Sequence, residues 1–119
     1  MRAGVLAHVV VGVGVNLVPP PTVAGAAGLG DRVDAMELLT AFIGRFRTAP
    51  TPDAPGFASA TIARWRKVSM TLGAEVEARF ADGTSIRGRA ADVDESGGLV
   101  LERADGRTVI RSGEVVHLR

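Results

Sequence analysis

The chain has 119 residues, with 14 Lys and Arg against 13 Asp and Glu, a formal net charge of +1 and 46% hydrophobic residues. That is enough apolar material for a packed core and too much for a disordered chain, and the even charge removes any bulk pull toward nucleic acid or an anionic membrane. With no cysteine and only His8 and His117, disulfides, thiolate chemistry and a histidine-built metal site are excluded, and a reducing, cytoplasmic setting is expected.

The first stretch, Val9-Val10-Val11-Gly12-Val13-Gly14-Val15-Asn16-Leu17, is a dense β-branched run. It predicts a strand buried on both faces. Gly12 and Gly14 share one face of that pleat and leave it bare, which predicts close approach of a ligand or another backbone. Asn16 continues the bare face as its only polar group and needs a fixed backbone partner or a ligand. Met1-Arg2 ahead of an apolar run and the small-x-small Ala24-Gly25-Ala26 superficially match an export signal. His8 and the glycines interrupt that run, and Pro19-Pro20-Pro21 follows, so the strand reading is preferred. The run also falls short of the ~20 residues of a membrane span.

Pro19 to Gly30 reads as a loop. Asp34 then caps a helix, Glu37 completes a capping box, and Met36, Leu39, Ile43 and Phe46, widened by Leu38 and Phe42, form an apolar stripe expected in the core. Thr48 to Gly56, rich in proline, is a connector. A second helix is predicted over 57–68 with Phe57, Ile62, Trp65 and Val68 buried, Trp65 as an apolar plug, and Arg64, Arg66 and Lys67 at a solvated C-terminal end.

From Ala74 the period becomes two. Val76, Ala78 and Phe80 alternate with charged residues, Asp82-Gly83 turns the chain, and Ile86, Gly88 and Ala90 alternate with Arg87, Arg89 and Ala91. Asp94 to Gly98 and Asp105-Gly106 are further turns between strands at 99–103, 108–111 and 114–118. Five short strands in so little chain predict a small barrel or roll that leans on the preceding helices. Asp92 and Asp94 are read as turn residues and His117 as a rim residue. Arg87, Arg89, Arg103, Arg107 and Arg111 do not predict nucleic-acid binding, because Phe80 is the barrel's only aromatic and acidic residues offset them. A dinucleotide-binding loop is excluded, since its third glycine would fall at Leu17, directly before the prolines.

The glycine-x-glycine-x-Asn strand, the two helices, the Ser69-x-Thr71-Leu72-Gly73 junction and the ending Gly113-Glu114-Val115-Val116-His117-Leu118-Arg119 together resemble the C-terminal part of the bacterial biotin protein ligase family, over essentially the whole chain. The resemblance implies an α+β chain. Residues 1–72 would be the C-terminal remnant of a mixed α/β catalytic domain, a buried strand plus two helices, and 73–119 a small SH3-like five-stranded β-barrel. Family enzymes activate biotin with ATP and Mg²⁺ to biotinyl-5'-AMP and pass it to a lysine of a biotin carboxyl carrier domain. By resemblance Gly12, Gly14 and Asn16 line the adenylate and biotin pocket, and Ala27 and Gly28 stand where an Ala-Thr-Ser-Leu segment meets adenine.

The departures imply loss of catalysis. Ala3-Gly4-Val5-Leu6 echoes a family segment, but Met1 falls where its lysine belongs, and the basic glycine-rich loop and biotin-recognising strands have no counterpart. The chain alone is therefore expected to be inactive and to carry no catalytic or metal-binding residue. The alternative is a non-catalytic module whose barrel docks a carrier domain or peptide. An unpaired edge on the valine strand further predicts self-association.

Overall fold

In the computed structural model, which describes residues 8–118, the chain divides into two compact units, Met1–Ala49 and Pro50–Arg119. Met1 and Ala3-Gly4-Val5-Leu6 lie outside the described residues.

In the first unit, a short 3-10 turn at Gly30–Arg32 precedes helix α1, Ala35–Thr48. The Asp34 carboxylate accepts from the backbone N–H groups of Met36 at 3.1 Å and Glu37 at 3.4 Å, and the Asp34 N–H donates to the Glu37 carboxylate at 3.4 Å. This is the expected capping box, which satisfies N–H groups that the first turn leaves unpaired.

Two expectations fail here. Residues 9–17 form no strand, and the valines of the run are 50–89% exposed. A strand exists only through ladder partners, and no described segment pairs with this one. The α1 stripe is not core either: Met36, Leu39, Phe42, Ile43 and Phe46 are exposed and no α1 residue is buried. Among its described residues this unit contains no second helix and no strand against which the stripe could pack.

The second unit holds α2, Phe57–Val68, and strands β1, Glu75–Arg79; β2, Ser85–Val93; β3, Leu99–Arg103; β4, Gly106–Ile110; and β5, Glu114–His117. All pairings are antiparallel, in the order β4-β3-β2-β1-β5. Val76, Ala78, Ala90, Leu101 and Ile110 form the buried core, with Ala74, Phe80, Ile86 and Leu99 around it. The period-two pattern thus selects the inner face as expected.

The Asp82 carboxylate accepts from the N–H of Thr84 at 2.9 Å and its hydroxyl at 2.6 Å, which fixes the β1–β2 hairpin. Its register then places Glu77 opposite Arg87 and Glu75 opposite Arg89. Arg89 faces Glu102 on β3, and Glu102 faces Arg107 on β4, so the outer face carries an alternating row of charge across four strands. Glu102 binds Arg89 at 3.0 Å and Arg107 at 3.2 Å.

Glu77 is the one buried charged residue among those described, 6% exposed. Arg79 and Arg87 donate to its two oxygens at 2.7 and 2.5 Å. A buried carboxylate with both oxygens bonded avoids the penalty of an unpaired charge. The Arg79 and Arg87 hydrogen bonds hold its carboxyl below the ordinary glutamate range, and Arg89 does the same for Glu102.

A register shift between Ala90 and Asp92 marks a bulge in β2. Just past it, Asp92 receives Arg66 of α2 at 2.7 and 3.3 Å, and Arg66 also donates to the Val93 carbonyl at 2.9 Å. Arg66 is therefore a clasp between helix and sheet, not part of a solvated helix end. Trp65 and Val68, expected in the core, are 39% and 78% exposed, while Phe57 and Ile62 are half-buried. Trp65 and Val68 lie 100° and 200° around the helix from Arg66, which is turned to the sheet, whereas Ile62 lies within 40° of it.

At the β4–β5 turn Gly113 has φ +107° and would place a Cβ 2.6 Å from the Arg79 carbonyl oxygen. Gly113→Ala is expected to destabilise the second unit by about 1–3 kcal/mol, read as a lower urea midpoint. Acid is expected to act on Glu77, Glu102, Asp92 and Asp94 together, since all four carboxyls are held below their ordinary values. Groups depressed in the folded state add stability above their unfolded values, and that stability is lost as pH falls through the folded ones. The urea midpoint should hold between about pH 7 and 5 and fall below about 4. The advantage of wild type over Glu77→Gln should be present at neutral pH and shrink toward zero in acid; an equal gap at both ends would contradict the ion-pair assignment.

Candidate functional site

The expected pocket residues separate into two groups. Gly12 and Gly14 meet no other described residue: a Cβ at either would have no neighbour within 4 Å, so no other backbone among the described residues approaches their bare face. Asn16, Ala27 and Gly28 are brought together. The Asn16 side-chain amide donates to the Ala27 carbonyl at 3.4 Å. Beyond that contact the backbone is clasped, with the Leu29 N–H donating to the Asn16 carbonyl and the Gly30 N–H to the Leu17 carbonyl, both at 2.9 Å.

Gly28 sits in the clasp because nothing larger fits: a Cβ there would lie 2.5 Å from the Leu17 carbonyl oxygen. The loop from Pro19 to Leu29 thus returns to lie against the end of the valine run. The backbone partner expected for Asn16 is present, although Asn16 itself is exposed. An exposed amide beside a tightly packed backbone loop offers donor and acceptor edges to a planar polar ligand such as a heterocyclic base.

The second unit presents a different surface. An open groove of about 590 Å³ runs over the outer sheet face, lined by Glu75, Arg87, Arg89, Glu102, Arg103 and Asp105 among others. Its cations are already engaged. The five arginines weighed for nucleic acid are each held by a carboxylate: Arg87 by Glu77, Arg89 and Arg107 by Glu102, Arg103 by Asp105 and Arg111 by Asp94. Such a face has little free positive charge for a phosphate backbone.

Asp94 accepts from the N–H groups of Ser96 at 3.0 Å and Gly98 at 2.8 Å, the turn role expected of it, and the Gly98 bond leads in holding its carboxyl below the ordinary range. Asp92 does more than form a turn. The Val93 N–H and then Arg66 lower its pKa while it clamps α2. Among the described residues no cluster of three or more His, Asp or Glu could hold a metal ion, and no helix is long and apolar enough to cross a membrane.

Sequence reasoning missed Glu77 and Arg66. Counting outward from a two-residue Asp82-Gly83 turn would have set Glu77 opposite Gly88; the pairing with Arg87 comes from a three-residue loop, 81–83, closed by the Phe80 N–H donating to the Thr84 carbonyl. Arg66 carried no signal, because its partner lies 26 residues away beyond a bulge. His117, expected at a rim, is exposed and its Nε2 lies 3.0 Å from the Thr71 hydroxyl, joining the last strand to the junction after α2.

Residues 71–118, from that junction to the end of the sheet, match the family model of the biotin protein ligase C terminal domain. A biotin–[acetyl-CoA-carboxylase] ligase of Mycobacterium tuberculosis (strain ATCC 25618 / H37Rv) is 37% identical over 57 residues, 48% of this chain and 21% of that protein. The chain therefore spans about a fifth of the length of the relative it matches. Both comparisons support the resemblance seen in the sequence to the C-terminal part of the biotin protein ligases, the family model over residues 71–118, which hold all five strands.

Proposed function

We propose that the chain supplies the C-terminal portion of an ATP-dependent biotin protein ligase, acting in the cytoplasm on a biotin carboxyl carrier domain, with residues 1–72 contributing to the ligase domain and 73–119 closing as an SH3-like barrel. The family match over residues 71–118 carries this reading. The contact of Asn16 with the Ala27-Gly28 loop supports a role for the first unit at the nucleotide end of biotinyl-5'-AMP, and the family resemblance adds Gly12 and Gly14 to the same pocket.

The donor set also limits what the chain does alone. Forming an adenylate requires positioned cations and Mg²⁺ against developing phosphate charge. In the described part of the first unit the bases are Arg32, Arg45 and Arg47 besides His8, all outside the glycine run and its loop, and the described carboxylates form no cluster for Mg²⁺. The residues present do not fit the metal, so no step is assigned to it. The isolated chain contributes binding, and the chemistry belongs to parts of a ligase beyond these residues.

The second reading, a carrier-docking module, draws on the groove over the outer sheet face, whose balanced charges suit a protein surface better than an anion. Calorimetric titration with a non-hydrolysable biotinyl-adenylate analogue separates the two. Saturable binding by wild type, weakened about tenfold or more in Asn16→Ala, is the expected result for a working pocket. Binding of the carrier domain without biotin or nucleotide, together with silence toward the analogue, would favour the module. Biotin transfer to the carrier by the isolated chain is expected to be absent, and robust turnover would overturn that expectation.

A further inference from the structure

Helix α2 rests on the sheet without belonging to its core. The core cluster and the half-buried residues around it all fall between Ala74 and Ile110, and no residue of α2 is buried. An open cleft of about 540 Å³, lined by Pro52, Phe57, Ile62, Arg66 and Glu95 among others, runs along the N-terminal half of the helix. Among the described residues every hydrogen bond from α2 to the sheet comes from Arg66, two to Asp92 and one to the Val93 carbonyl. We infer that α2 is a latch with Arg66 as its catch: the helix detaches and unwinds as one segment while the five strands stay paired, and the Arg66–Asp92 contact sets how often it does so.

Little else holds α2 in shape. Its 12 residues are near the lower limit for a helix stable in water. Its N-cap is Gly56, which has no side-chain acceptor, and its first turn has no acidic residue, so its N-terminal N–H groups lack what Asp34 and Glu37 supply to α1. The catch is itself open to water, with the Arg66 and Asp92 side chains 44% and 48% exposed. An ion pair so exposed contributes little beside what holds a packed sheet. Opening α2 therefore costs less than unfolding the sheet, as for any segment with few buried apolar contacts.

The hydrogen bonds also mark where the opening stops. The Gly73 N–H donates to the Ala90 carbonyl at 2.8 Å and Thr71 meets His117 at 3.0 Å, so the chain is pinned to the sheet from Thr71 onward. Ser69, the C-cap of α2, and the exposed Met70 are left as the pivot. Ahead of the helix, the backbone hydrogen bonds of the connector are local, Ala54 to Thr51 and Phe57 to Ala54.

Asp92 is the point of control. Arg66 faces it from α2 and Arg107 from β4, its own strand supplies the Val93 N–H, and Glu95 lines the cleft beside Arg66. Arg64 and Lys67 lie on α2 itself. The Val93 and Arg66 hydrogen bonds hold the Asp92 carboxyl below its ordinary range, so the catch is closed at neutral pH and opens as pH falls through that lowered value.

Native-state hydrogen exchange on the full chain at pH 7 tests the latch, with Trp65, the chain's one tryptophan and next to the catch, as a second probe. Amides 61–68 should exchange at least about tenfold faster than those of β1 and β2, through an opening with a weaker urea dependence. Arg66→Gln should speed α2 exchange by a further factor of about two to ten, shift Trp65 emission to longer wavelength and leave the β1 and β2 amides unchanged. Asp92→Asn should act alike, and the double variant should add little to either. Exchange of α2 at the rate and urea dependence of the sheet overturns the proposal, and that comparison is made on wild type alone. An α2 opening indifferent to both substitutions overturns it too.

Discussion

A carboxylate lies in the middle of a five-residue strand, on the face that should be wet, and yet it is buried. Glu77 can hold that place only because the hairpin register delivers Arg87 from the neighbouring strand and Arg79 from two residues along its own. Remove either guanidinium and an ionised oxygen is left without a partner in a site that water hardly reaches. The Asp82 turn that sets this register, the charge row through Glu102, and the inner face with Val76 and Ala78 all follow from one alignment of two strands. Slipping it by a residue would expose the core and strand Glu77.

The legibility of the chain tracks how local each determinant is. The bounds of α2, the capping box of α1 and the presence of all five strands along the chain follow from patterns within a few residues, and each is found as expected. Burial is a different matter. The valine run and the α1 stripe were read as core from composition and period, but burial requires something on the other side. Periodicity says which face seeks cover and is silent on whether cover exists. The Arg66 clasp fails to show for a related reason: its geometry depends on the bulge in β2, and one extra residue there re-aims Asp92 without leaving a mark in the alternation.

The candidate ligand site divides along the same line. Asn16 and the Ala27-Gly28 loop meet through backbone hydrogen bonds that short-range loop closure can supply, and Gly28 is required by a close approach that the structure makes explicit. Gly12 and Gly14 were singled out because a bare strand face implies a neighbour. Without a ladder there is no face in that sense, and their role rests on the family resemblance. The arginines of the sheet show the converse: counted along the sequence they suggest a basic surface, whereas in space each is answered by an acid.

The two ends of the sheet region lie together. Thr71, before β1, meets His117 at the end of β5, and the Leu118 N–H donates to the Glu75 carbonyl at 2.9 Å. A segment whose entry and exit are neighbours asks little of its surroundings, because flanking chain meets it at one place on its surface. Such a geometry suits a cassette. It can be joined to different flanking sequences without tearing its own ladder.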